Sequence, residues 1–427
     1  MRQLLVPLSA PEAADPDRFG PKAANLAALG QAGLPVPGGY ALDAEAYRVQ
    51  MRALGLEEHA REVFHTEGME ARRHALAIRL GLLDEPITEE LVEPLLAVWR
   101  EIVREGALGV IRSSSLVEDR FDSSFAGQFE SFLGIEDEGE FLLAVRSCWC
   151  ALWSTRALRY MATHDAADPA DTAMALIIQP LVNAYASGGG LSRTAEGEIT
   201  ISATLGLGSA IAQGEVVPDR YRLTRGGEIL ETVGGRKTHA VGCAHGTQTM
   251  KKAVAEEPCL SPEQVVELAG YIVRAEEIVG GAAEIEWSLD DEGFKMLQAR
   301  PLHIEDEVTD VGELWAQKPR LRGHPAGVGW GTGRACVVNC ECEVSRIGPG
   351  DVLITKVAGP ALSQMLGQVS AVVAELGGST SHLASLARER GIPMVLGVLD
   401  ATTSIPDGST VAVDGVAGIV RWTTERS

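Results

Sequence analysis

The chain has 427 residues, of which 45% are hydrophobic, enough for about three domains with buried cores. A formal charge of −22 opposes the phosphate-backbone attraction a general nucleic-acid or anionic-membrane binder needs, so neither partner is expected. No run of 18 apolar residues appears and the acidic start does not read as a signal peptide, so a cytoplasmic location is expected, with the seven cysteines as free thiols.

In chain order, the first hundred residues read as helical, with "PKAANLAALGQAG" closing on a glycine and a charged, Leu-rich stretch from Leu56 to Arg104. "GALGVIRSSSLVEDRFDSSFAGQFESFLGI" (106–135) alternates apolar and polar residues and is rich in Ser and Gly, as strands joined by turns are. A helix is expected over "EFLLAVRSCWCALWSTRALRYM", then a buried strand over "AMALIIQPLV" that Pro180 should end. Further on come strands near "EITISATLG" and "RYRLTRG", a helix over "SPEQVVELAGYIVRAEEIVG" and a hairpin over "AEIEWSLDDEGFKMLQARPL". Residues 304–325 mix acidic residues, basic residues and two prolines without periodicity and read as a linker. Beyond them lie about a hundred residues of short Val and Ile strands with glycine turns, enough for a small domain. The expected division is therefore 1–195, 196–303, linker 304–325, and 326–427.

Some residues sit in settings that suggest chemistry. In the hairpin, Glu286 and Gln298 should face each other if "DDEG" makes the turn. A carboxylate and an amide oxygen suit Mg²⁺, a hard cation that prefers oxygen. Arg300 lies two residues beyond Gln298, on the same face of its strand. Lys22 in "GPKAANL" and Arg112 in "VIRSSS" are cations among small or apolar neighbours. "SSFAGQFES", with Gly127 and Gln128, offers small side chains and backbone amides suited to covering phosphates. "CVVNCEC" matches no usual zinc spacing and reads as cysteines of a buried strand. His59, His65 and His164 read as capping or surface residues. His382 differs, because "GGSTSH" places it after two glycines and three hydroxyls at the start of a helix, where the positive end of the helix dipole disfavours an imidazolium and favours a bound phosphate.

Taken together, "GPKAANLAALGQAGLPVPGGY", "VIRSSSLVEDRFDSSFAGQFESFL", "GLGSAIAQGEVVPDRY" and "EIEWSLDDEGFKMLQARPL" resemble the nucleotide-binding domain of the pyruvate phosphate dikinase and phosphoenolpyruvate synthase family. "GRACVV", "GDVLIT", "GGSTSHLASLARERGIPMVLG" and "DGSTVAVDGVAGIV" resemble its swivelling phosphohistidine domain. The resemblance implies a multidomain α+β and α/β architecture: an ATP-grasp domain of two α+β halves, 1–195 and 196–303, followed by a small swivelling β/α domain. It also implies an ATP-dependent phosphotransferase that phosphorylates its own histidine and yields AMP. By motif, His382 is the nucleophile, Lys22, Arg112 and Arg300 hold ATP phosphates, Gly127 and Gln128 cover them, Gln179 lies by the adenine, and Glu286 and Gln298 hold Mg²⁺.

This sequence departs from the family's pattern at Pro21, Ser209 and Glu375, and over "LVNAYASGGGLSRT" (181–194). Full dikinases continue into a (β/α) barrel for pyruvate or phosphoenolpyruvate. This sequence carries no such segment before Ser427, so the phosphoryl acceptor is expected on a separate barrel-type subunit or as a small molecule. An ATP-grasp ligase is the alternative reading.

Overall fold

The computed structural model describes residues 3–116, 131–155, 157–158, 172–237, 239–241, 247–249, 257–302, 315, 318–357 and 359–426. Two compact units emerge. The first comprises residues 1–183 with 295–300, the second 184–294 with 301–427. The first boundary thus falls twelve residues before the one expected, and the segments on either side of the expected linker belong to one unit.

The first unit is built on an antiparallel sheet of β1 (Leu5–Pro7), β2 (Tyr40–Leu42), β3 (Gly109–Ser115), β4 (Ser131–Ile135) and β5 (Met174–Pro180), in the order β1-β2-β5-β3-β4. β5 is central and its residues 174–178 are fully buried, as its apolar run requires. Pro180 is its last residue, because proline offers no amide to extend the ladder. Helix Pro16–Gln31 covers one face, packing Phe19, Ala23, Leu26 and Ala27 against Ala41 and Ile177. On the other face Trp99, from helix Glu89–Ile102, stacks on Phe141, from helix Glu138–Ala151, with ring centroids 4.7 Å apart. A side chain at Gly109 would collide with Trp99, which explains the glycine there.

In the second unit a sheet runs β12 (Ala283–Asp290), β6 (Ala186–Leu191), β7 (Ile199–Leu205), β8 (Asp219–Leu223), β9 (Ile229–Val233), all neighbours antiparallel. Helix Pro262–Val279 backs it. Its Ser261–Gln264 capping box and left-handed Gly280 mark its ends as the sequence suggests. A short ribbon pairs β10 (His239–Val241) with β11 (Thr247–Thr249). β13 (Gly293–Pro301) follows β12 through the expected tight turn and carries residues 295–300 into the first unit.

The rest of this unit is an eight-stranded sheet: β14 (Arg320–Arg322), β15 (His324–Pro325), β16 (Trp330–Val338), β17 (Val352–Thr355), β18 (Ala371–Ala374), β19 (Met394–Leu396), β20 (Ser409–Asp414) and β21 (Ile419–Arg426), in the order β14-β21-β20-β16-β17-β18-β19-β15. β16 to β19 are parallel, and helix His382–Glu389 connects β18 to β19. β14 and β15 lie within the segment expected to be linker. They are three and two residues long, and edge strands that short leave no alternating pattern to read.

Of the cysteines, Cys148, Cys150, Cys259 and Cys336 are free, and Cys336 sits in buried β16 as expected. Cys340 is disulfide-bonded, so the expectation of free thiols fails there. It lies beyond the end of β16, where the strand's pleat no longer fixes its side chain. Among the described residues no helix is long and apolar enough to cross a membrane.

Candidate functional site

In the first unit two of the singled-out residues share one sheet face, and a third lies on the helix that covers it. Arg112 pairs with Ile177 across β3 and β5, and Val110 pairs with Gln179, so Arg112 and Gln179 both project on the face covered by helix Pro16–Gln31. Ser114, two residues beyond Arg112, ties that helix down: its hydroxyl donates to the Phe19 carbonyl (2.6 Å) and accepts from the Ala23 amide (3.0 Å). Between those two contacts lies buried Lys22. The helix is kinked there, since Gly20 has φ 74° and a Cβ on it would stand 2.5 Å from the Ser114 oxygens. Pro21 restarts the helix after the kink, a first-turn position where its fixed φ and missing N–H cost nothing. This accounts for one departure from the family's pattern.

Arg112 donates from Nη2 to the Gln298 side-chain oxygen (2.8 Å) and from Nη1 to the Leu297 carbonyl (2.5 Å), joining two residues singled out on unrelated motifs. Arg300, two residues on from Gln298, is buried. Asn25, which the sequence reading missed, donates to the Ala299 carbonyl (3.1 Å) and binds the same strand to the kinked helix. Gln179 donates its amide to the Gly38 carbonyl (2.7 Å), which fixes its orientation. Gly127 and Gln128 lie outside the described residues.

In the second unit His382 is the first residue of its helix, capped by Ser381, whose hydroxyl accepts from the Ala384 amide (3.3 Å). The preceding loop rests on the sheet of β12, β6 and β7. The Gly377 amide donates to the Val216 carbonyl (3.0 Å), and the Ser379 and Ser202 hydroxyls stand 3.4 Å apart. Thr380 lies against Gly189, where a Cβ would come within 2.5 Å of the threonine. Gly189 pairs directly with Glu286, so Thr380 rests beside the carboxylate expected to bind metal, on the face Glu286 shares. The loop that leads into His382 and the strand position of Glu286, identified on separate motifs, thereby lie side by side.

The triple glycine of β6 follows from this packing. Gly189 admits the histidine loop, whereas Gly190 faces the other way against Ile272 of the backing helix and Gly188 against the Ser202 carbonyl and Trp287. Putting valine at Gly189 should lift the loop. Overpacking of this kind costs roughly 1–3 kcal/mol, so we expect histidine labelling by ATP to slow by about 5- to 150-fold, measured as initial label incorporation.

Residues missed from the sequence complete this seat. Glu284, two residues from Glu286 and on the same face, is buried and accepts from Arg388 Nη2 (2.9 Å), and its two oxygens lie 3.0 and 3.1 Å from the Ser385 hydroxyl. The signal was the spacing Ser381, Ser385, Arg388, one helix face of polar groups. Near this seat the buried hydroxyl oxygens Ser288 Oγ, Thr204 Oγ1 and Thr380 Oγ1 have no partner among the described residues. Ser288 and Thr204 belong to one cross-strand row through Ser187, adjacent to Glu286 on its face.

Hydroxyl oxygens thus lie on the sheet face that carries Glu286, a donor type that fits a hard cation that keeps water and substrate phosphates. Among the described residues no three His, Cys, Asp or Glu side chains cluster as a cage, so protein ligands alone would not enclose it. His324 is buried and its ring is held neutral, its pKa pushed down to about 3 chiefly by burial and then by nearby Arg220. His65 contacts the Arg61 carbonyl, and the His59 and His74 rings contact each other, which leaves all three in local roles.

The chain's residues 16–318 match the family model described as pyruvate phosphate dikinase, AMP/ATP-binding domain, and residues 347–418 match that of the PEP-utilising enzyme, mobile domain. It is 31% identical over 417 residues to a probable phosphoenolpyruvate synthase of Methanothermobacter thermautotrophicus, covering 94% of this chain and 61% of that protein. It is 32% identical over 463 residues to the phosphoenolpyruvate synthase of Aeropyrum pernix (94% and 56%) and 30% identical over 439 residues to that of Escherichia coli (95% and 55%). The chain spans between 55% and 61% of the length of these relatives.

Proposed function

From the premise that this chain belongs to the pyruvate phosphate dikinase and phosphoenolpyruvate synthase family, we propose that it transfers phosphoryl groups from ATP through His382 to an acceptor held elsewhere. The observation that carries this reading is the seating of the histidine loop beside Glu286, through Thr380 on Gly189.

Phosphoryl transfer demands mainly positioning and charge neutralisation. Lys22, Arg112 and Arg300 would hold the ATP phosphates, with Gly127 and Gln128 over them and Gln179 by the adenine. Glu286 and Gln298 would hold Mg²⁺, which when bound supplies positive charge to the phosphate oxygens; Gln298 is already oriented by Arg112. A lone pair of the His382 ring attacks the β-phosphorus, the bond from that phosphorus to the AMP oxygen breaks, and AMP leaves. Transfer of the terminal phosphoryl group to water or inorganic phosphate, with cleavage of the P–O bond that joins the two phosphates, then leaves phosphohistidine. His382 opens its helix, where the positive end of the helix dipole favours the phosphate dianion over the imidazolium. The onward acceptor is a small molecule or a group on a separate barrel-type subunit.

The test is incubation with Mg²⁺ and ATP labelled in the β-phosphate. We expect acid-labile, base-stable label on the protein and AMP in solution, both lost when EDTA removes the metal. Unlabelled protein that forms ADP only when an amine and a carboxylic acid are supplied would overturn the reading in favour of a ligase.

A further inference from the structure

We propose that Arg388 is a positioning residue: with Ser385 and Glu284 it forms a catch that holds the His382 loop on the nucleotide sheet for the first phosphoryl transfer. The inference rests on the function proposed above and names the device that sets its geometry.

The contacts reach both sides of the seat. Arg388 Nη2 donates to Glu284 of β12 (2.9 Å), and Nη1 donates to the carbonyls of Ser379 (2.6 Å) and Ala326 (3.3 Å). One guanidinium therefore fixes the loop three residues ahead of His382 and anchors it to the strand that carries Glu286. Both charged groups are buried, Arg388 at 8% and Glu284 at 5% exposure. The Ser385 hydroxyl bridges them, lying within 3.2 Å of both.

Burial makes the pair conditional on seating. With the loop lifted, both charges return to water. With it seated, each needs the other, because an unpaired buried charge costs far more than a paired one. Breaking the Arg388–Glu284 pair penalises the seated arrangement more than the lifted one, in which Arg388 keeps its bonds to the Ser379 and Ala326 carbonyls, so the population shifts away from the seat. A group that merely stabilised the small domain would not show this selectivity. Beyond the Gly377–Val216 backbone bond at its start, the loop meets the sheet through a hydroxyl pair at 3.4 Å and a threonine on a glycine, so Arg388 supplies the charged contact to β12.

The experiment uses the full chain with Arg388→Met and, separately, Ser385→Ala. Three quantities are read: label on His382 from β-labelled ATP, affinity for ATP by calorimetry, and radius of gyration by small-angle scattering. We expect Arg388→Met to slow labelling roughly 10- to 150-fold and to increase the radius of gyration, with ATP affinity unchanged. Ser385→Ala should shift both in the same direction by less, and Arg388→Lys should recover part of the loss. Labelling at the wild-type rate would overturn the proposal, as would slow labelling with an unchanged radius of gyration, or a matching loss of ATP affinity. If Arg388→Met does not fold, Ser385→Ala decides by the same criteria. If the wild-type chain takes no label, the proposed function fails, while scattering still tests the catch.

Discussion

Replacing His382 with alanine is expected to abolish the acid-labile label altogether while ATP still binds. The imidazole is the group that splits one difficult transfer into two easier ones, and alanine offers no lone pair to replace it. The substitution should be tolerated structurally. The helix keeps its Ser381 cap, and alanine has the highest helix propensity, so the melting temperature should change little. Label retained in the variant would mean another side chain accepts the phosphoryl group. Buried His324, held neutral and without a partner at Nδ1, would then be examined first.

The second large effect is expected from Arg112→Met. This side chain joins β3 to the strand bearing Gln298 and Arg300, through Gln298 and the Leu297 carbonyl. Methionine removes a phosphate-binding charge and also releases the Gln298 oxygen from the donor that orients it. Single guanidinium groups that stabilise phosphoryl transfer are worth 10³–10⁵ in rate. We therefore expect labelling to fall by about 10³-fold or more, and raising Mg²⁺ should not restore it. A loss below about tenfold would place Arg112 in the fold rather than in the chemistry.

Much of the fold was legible because its signals are local. The apolar run ending at Pro180, the capping box at Ser261 and the tight turn between β12 and β13 each name their element without help from the rest of the chain. The boundary between the two compact units falls after residue 183 rather than 195, and β6, which follows it, reads "ASGGGL", a composition that argues against a strand. It is nevertheless an interior strand, and its glycines answer to neighbours far away in sequence, Thr380 and Ile272. No inspection of that segment alone reveals them. β14 and β15 were absorbed into the linker for the opposite reason: they are too short to carry a pattern at all.

Motif and chemistry coincide in the sequence at Lys22, Arg112, Glu286, Gln298, Arg300 and His382, and the structure adds that Arg112 bonds Gln298 and that the loop before His382 lies beside Gly189, the strand partner of Glu286. Glu284, Ser385 and Arg388 escaped because each, read alone, is an ordinary polar residue of a strand or helix. Their meaning lies in a contact across a hundred residues. The departure at Pro21 proved to be a local device, restarting a helix after Gly20.

The glycine and hydroxyl character of the histidine loop's seat has a thermal consequence. Gly189, Thr380, Ser202 and Ser379 present little hydrocarbon to one another, so parting them exposes little apolar surface to water. Heat capacity changes follow apolar exposure. If the loop leaves its seat, that step should therefore carry a small heat capacity change, and the logarithm of its equilibrium constant should run close to linear in reciprocal temperature, unlike that of an arm held down by a greasy patch.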